Sequence, residues 1–350
     1  MNNEHILIMR FSAMGDVAML VPVVHSLAVQ YPEVRVTVLS REFARAFFDN
    51  LAPNVGFMAA DLEKEYAGIT GLNALYRRLH AKHFTVVADM HGVIRTHYLR
   101  TRFKIDRFRV AHIDKHRAGK RRLVNRHNKR LVQQATSFEN YAEVLMRLGY
   151  PVKLNFHSIF SSQGGNLRLL SGQIGEKKSF QKWIGIAPFA AHKGKVLPLQ
   201  KTEQIIETLV NIHPNARFFL FGAGGSERQI LDKWCATFPR CLRVSEVLNG
   251  LSEELILMSH LDVMLSMDSA NSHLASLVGV PVVSVWGATH PYAGFMGWGQ
   301  SEENAVQVSL PCRPCSIYGN KPCYRGDMAC MDRITPEMVI QRVEAVLDRK

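Results

Sequence analysis

No apolar run in this 350-residue chain approaches the roughly 20 residues needed to cross a bilayer. The opening residues, MNNEHILIMRFSAMGD, lack a basic stretch followed by a long apolar one. They read as a short first strand and not as a secretion signal, so the expected location is the cytoplasm. Cysteine is scarce, six in all, and in a cytoplasmic chain such residues are expected as thiols or metal ligands. Acidic residues are outnumbered, 30 against 43 Lys and Arg, for a formal net charge of +13. The excess is local: Arg95–Arg130 holds fourteen Lys and Arg against Asp106 and Asp114. Such a stretch attracts phosphates, whether of nucleic acid, an anionic membrane or an anionic substrate.

What is present is the composition of an ordinary globular protein, 47% hydrophobic and 21% charged, at a length suited to two domains. Short apolar runs alternate with segments of helical spacing. His5–Met9, Arg35–Leu39 and Thr85–Asp89 predict strands of a first α/β unit, with helices over Val17–Gln30, Phe43–Asn50 and Thr136–Leu148, the last stopped by Gly149. Gly and polar residues crowd 161–180, the expected linker, whose LRLL stretch has some helical character. The alternation then restarts with strands at Trp183–Ala187, Arg217–Phe221, Val263–Ser266 and Val282–Trp286. Helices are expected over Gln200–His213, after Glu227, over Ser272–Val278 and over Pro336–Leu347. Strand–helix alternation of this kind builds doubly wound parallel sheets.

Ligands of such sheets bind at the carboxyl ends of strands. The loop after the first strand, Arg10–Asp16, offers Ser12, Gly15 and Asp16 there. Asp16 at a helix start is either a general base or a helix cap. The strand ending near His91 and Gly92, with Arg95 after it, adds candidate acceptor contacts. In the second half, Lys193 and Lys195 follow a strand; they either meet a diphosphate or decorate a solvated loop. Gly222–Glu227, GAGGSE, is a glycine loop without the GxGxxG spacing, and Glu227 suits either a ribose contact or the first turn of a helix. Asp268, Ser269, Ala270 and His273 lie between a strand and a helix whose N-terminus can hold a diphosphate, or else form a capped helix with a core histidine. Gly287 and Thr289 end the next strand on the same rim. Cys312, Cys315, Cys323 and Cys330 are candidate ligands for one structural Zn²⁺, the alternatives being buried thiols or redox-labile pairs.

Two long segments resemble a known family. RFSAMGDVAMLVPVVHSL and MDSANSHLASLVGVPVVSVWGATHP are similar to the two signatures of glycosyltransferase family 9, the ADP-heptose–lipopolysaccharide heptosyltransferases. KVLP at Lys195–Pro198 resembles that family's Lys-x-Trp-Pro, with Leu197 in place of Trp, and the cysteine-rich C-terminal stretch also occurs in members. Ser269 and Ala270 stand where the family has Thr and Gly.

The resemblance implies a GT-B fold, two Rossmann-like domains with parallel sheets facing a central cleft. It implies an acceptor domain over 1–165, a donor domain over 180–335, and a last helix, 336–348, that packs back onto the first. It further implies inverting, metal-independent heptose transfer from a nucleotide-sugar, ADP-heptose, to a lipopolysaccharide core or related lipid-linked anionic glycan. Asp16 matches the base, and Lys195, Glu227, Asp268, Ser269, Ala270, His273 and Thr289 the donor contacts. No catalytic cofactor is expected. Peripheral contact with the inner membrane surface is. A nucleotide-sugar epimerase or hydrolase on the same fold is the competing enzyme reading. Nucleic-acid binding would explain the charge, but no DNA or RNA module signature accompanies it.

Overall fold

The computed structural model describes residues 4–222 and 224–349. The chain divides into two compact units, Met1–Lys115 with Ala135–Ile159, and His116–Gln134 with Phe160–Lys350. Among the described residues no helix is long and apolar enough to cross a membrane.

The first unit is built on five parallel strands, β1 (His5–Met9), β2 (Arg35–Ser40), β3 (Val55–Ala59), β4 (Val86–Asp89) and β5 (Arg109–His112), in the order β3-β2-β1-β4-β5. Ile6, Leu7, Ile8 and Met9 are fully buried, as expected of a central strand covered by helices on both faces. Each such side chain contributes about 1.5–3 kcal/mol of burial. The strand order reverses between β1 and β4, and a crevice opens outside the carboxyl ends of strands at such a reversal.

The single helix expected over Val17–Gln30 is two, Met14–Ala18 and Val21–Gln30. Pro22 sits in the first turn of the second, where its missing N–H costs no hydrogen bond. The helix Ser137–Arg147 opens with a reciprocal cap: Glu139 N–H donates to Thr136 Oγ1 at 3.2 Å, and Thr136 N–H to Glu139 Oε2 at 2.7 Å. Gly149, at φ 90, stops it.

The second unit has six parallel strands, β6 (Trp183–Ala187), β7 (Arg217–Leu220), β8 (Cys241–Arg243), β9 (Val263–Met267), β10 (Val282–Val285) and β11 (Ala305–Val306), ordered β11-β10-β9-β6-β7-β8. Here the order reverses between β9 and β6. The C-terminal helix Pro336–Leu347 buries Val339, Val343, Val346 and Leu347 in this unit's core. It packs on the helix Leu199–Ile212, with His213 Nε2 2.8 Å from Glu344 Oε1. The helix expected to return to the first unit thus covers the second sheet, because its apolar stripe meets the stripe of Leu199–Ile212.

Two further segments differ from expectation. The 161–180 stretch, read as a linker, is fastened to the second unit. Lys177 Nζ lies 2.7 Å from Asp262 Oδ2, His260 Nε2 2.6 Å from Gly165 O, and Gly165 N–H donates to Ser259 Oγ at 2.9 Å. Its LRLL portion is one 3-10 turn, Leu167–Leu169. Residues 116–134, read as part of the first domain, group with the second unit. Gln134 N–H donates to Tyr292 O at 2.9 Å, Lys120 Nζ sits 4.4 Å from the Phe295 ring centre, and Lys129 Nζ donates to Cys312 O at 3.1 Å and to Pro314 O.

Candidate active site

In the first unit, the loops after β1 and β4 meet at the reversal of strand order. Arg10, 7% exposed, donates from Nη1 to Met90 O at 2.6 Å and places Nη2 2.8 Å from Asp16 Oδ2. The guanidinium therefore ties one loop to the other and fixes the carboxylate between them. Asp16 is the third residue of the short helix Met14–Ala18, not its cap; its Oδ2 accepts from Ala13 N–H at 3.3 Å. Tyr141 Oη donates to Asp16 O at 3.1 Å, and the Arg10 guanidinium lies 5.5 Å from the Tyr141 ring centre. The Asp16 side chain keeps 34% of its surface open, enough to meet a ligand while its orientation is held.

His91 is buried beside it, with Nε2 3.3 Å from Ser12 Oγ. Burial first, and then the Arg10 and Lys115 cations, push the imidazole down to about 4, against smaller raising effects of Asp89 and Asp16. It is therefore neutral at pH 7 and can donate or accept a single hydrogen bond at each nitrogen. Its Nδ1 is buried with no hydrogen-bond partner among the described residues. Asp89, fully buried at the end of β4, shapes this turn: Oδ1 accepts from the N–H groups of His91 and Gly92, both at 2.9 Å, and Oδ2 pairs with Arg100 at 3.2 Å. Gly15 is buried, and Arg95 is exposed in the first turn of the helix Ile94–Ile105.

In the second unit, the loops after β6, β9 and β10 converge in the same way. Asp268, 4% exposed, accepts from Thr289 Oγ1 at 2.7 Å and pairs with Lys195 Nζ at 2.9 Å, both through Oδ2. One carboxylate thereby orients a hydroxyl and a cation from two other loops. The helix expected from Ser272 begins earlier, at Ala270, with Ser269 as its cap residue and His273 buried in its first turns. Ser269 Oγ lies 3.3 Å from Ser266 Oγ and makes no cap bond of its own.

Backbone crowding holds these loops together. Ala288 N–H donates to Gly194 O at 2.9 Å, and a Cβ on Gly287 would lie 2.7 Å from Gly194 O, so only glycine fits. Glu227 is in the first turn of the helix Gly225–Thr237, accepting from Gly224 N–H at 3.2 Å. Ala223 of that glycine loop lies outside the described residues.

The four C-terminal thiols are neighbours that influence one another. Burial, then the charges of Cys312 and Cys323, raises Cys315; burial and then Cys315 raise Cys330 to about 11. Among the described residues, however, no three His, Cys, Asp or Glu gather at the spacing of a metal site.

Three residues that organise these sites, Arg10, Asp89 and Arg313, were not among the candidate site residues. Each is a buried charge; Arg10 and Arg313 reach carbonyls of loops distant in the chain, whereas Asp89 is bound by its own turn and by Arg100.

The family described as glycosyltransferase family 9 (heptosyltransferase) matches residues 72–324. Among solved structures, the glycosyl transferase family 9 protein from Veillonella parvula is similar over 99% of this chain and 98% of its own, at 16% identity and a TM-score of 0.74. The E. coli heptosyltransferase WaaC with ADP is similar over 98% of this chain and 99% of its own, at 17% identity and a TM-score of 0.68. E. coli ADP-heptose lps heptosyltransferase II is similar over 99% of each chain, at 15% identity and a TM-score of 0.70. No curated protein matches the sequence. Both units' α/β architecture, with parallel sheets, is the GT-B one of these heptosyltransferases.

Proposed function

This chain belongs to glycosyltransferase family 9, the heptosyltransferases, and from that premise we propose that it moves a heptose from ADP-heptose to a lipopolysaccharide core or related lipid-linked glycan, with inversion at the anomeric carbon. The observation that carries the reading is the joining of Lys195 and Thr289 through the buried Asp268, at the end of the second sheet where its strand order reverses. A lysine cation beside the N-terminus of the helix Ala270–Leu277 makes a diphosphate cradle. The E. coli WaaC structure was solved with ADP, which supports a nucleoside diphosphate as the ligand there.

The scheme is one displacement. Asp16 takes the proton of an acceptor hydroxyl, and that oxygen forms a bond to the anomeric carbon. The bond from that carbon to the diphosphate oxygen breaks, and the electron pair leaves with the nucleoside diphosphate. Charge grows on the leaving oxygen, where Lys195 and the helix N-terminus favour it without a metal ion. Neutral His91 and Ser12 position the acceptor sugar, and exposed Arg95 meets its anionic groups. The acceptor class places the reaction at the cytoplasmic face of the inner membrane.

The test is ADP release from ADP-heptose with and without a delipidated core acceptor. Acceptor-dependent release with formation of a heptosylated product is expected. Donor consumption at the same rate without acceptor would instead mark an epimerase or hydrolase.

A further inference from the structure

Arg313 lies outside every motif that the proposed chemistry uses, yet it is 4% exposed and uses all three guanidinium nitrogens. Nε donates to Gly287 O at 2.5 Å and Nη2 to Thr289 O at 3.0 Å; Nη2 also reaches Gln307 Oε1 at 2.9 Å, and Nη1 reaches Val308 O. Between those two loop carbonyls, Ala288 O accepts from the N–H groups of Cys315 at 3.1 Å and Ser316 at 3.2 Å. Three consecutive carbonyls of the Gly287–Thr289 loop therefore all turn toward residues 313–316. The same segment backs the cradle's lysine: a Cβ on Gly319 would lie 2.7 Å from Lys195 Cγ.

Every acceptor on the Arg313 guanidinium is an amide oxygen. A buried cation whose hydrogen-bond acceptors are all dipoles, beside the thiols of Cys312, Cys315 and Cys330, leaves a positive field behind the loop that carries Thr289. Lysine would keep the charge but has no planar fork to hold Gly287 O and Thr289 O together.

We infer that Arg313 is the positioning residue of the donor site: it locks the Gly287–Thr289 loop so that Thr289 can orient Asp268 and, through it, Lys195 toward the donor diphosphate. This rests on the donor reading above. The cysteine-rich segment is then a splint for the cradle, set by its backbone and by Arg313.

The test compares Arg313→Lys and Arg313→Met with wild type by calorimetric ADP binding and by donor and acceptor KM. Both variants are expected to weaken ADP binding and raise donor KM at least tenfold, with acceptor KM within twofold. Thr335→Ala, which removes a helix cap and none of the loop bonds, controls for a general loss of stability: it should lower the melting temperature and leave ADP affinity alone. Folded Arg313→Lys with wild-type ADP affinity overturns the inference and leaves the donor reading intact. Wild-type protein that binds no ADP overturns the donor reading and this inference with it. If neither variant folds, hydrogen exchange on wild type decides. ADP should protect the Cys315 and Ser316 amides together with the 287–290 loop; protection of the loop alone overturns the role.

Discussion

Asp268 and Asp89 are both buried carboxylates at strand ends, and they do different work because their partners differ. Asp89 faces two backbone N–H groups and Arg100, all within its own unit's turn, and so builds a loop. Asp268 faces a hydroxyl and a lysine, groups that a phosphate could also take. Thr289→Val removes the hydroxyl and leaves Asp268 with one fewer partner in a buried place. We expect a loss of about 1–3 kcal/mol of stability in urea unfolding, together with a several-fold rise in donor KM. His91 gives the pH dependence. Its folded value of about 4 lies below the ordinary 6.5, so the unfolded chain binds the extra proton first. Its contribution to stability is complete above about pH 6.5 and is lost as pH falls toward 4. The melting temperature of wild type should therefore drop more between pH 7 and pH 4.5 than that of His91→Gln; equal drops would remove His91 as the cause. Residues such as Asp16, Lys195 and Asp268 were legible in the sequence because they follow strands in short loops. Arg313 was not, since its acceptors at Gly287 and Thr289 lie more than twenty positions away.

Strands and helices were legible in proportion to how uniformly they are buried. His5–Met9 and Trp183–Ala187 appear where the apolar runs place them, because central parallel strands are covered on both faces. The strands at Val55–Ala59, Arg109–His112, Cys241–Arg243 and Ala305–Val306 carry no such continuous apolar run. All four are edge strands and mixed in exposure, so no clear period marks them. Loops between elements also impose demands that composition hides. Gly287 must be glycine because the Gly194 carbonyl occupies the space of a Cβ. Gly287→Ala should shift the backbone, cost about 1–3 kcal/mol of stability, and weaken ADP binding. Differential calorimetry with and without ADP measures both effects. An unaltered melting temperature would mean the two loops are not pressed together.

At the scale of the whole chain, tandem α/β units could be read from the strand–helix alternation, but their borders could not. The chain leaves the first unit after Lys115, returns at Ala135 and leaves again after Ile159, and a linear sequence pattern carries no mark of such an exchange. The basic stretch is divided by it: Lys120 and Lys129 are occupied within the second unit, whereas Arg95 remains exposed in the first. Part of the local charge excess is thus structural. Asp16, tied by Arg10 at the end of the first sheet, is the proposed base of the transfer. Its most direct test is the single-turnover transfer rate of Asp16→Asn, taken with that variant's ADP affinity. The rate should fall at least about 100-fold while ADP binds within twofold of wild type; transfer at the wild-type rate would show that Asp16 is not the base.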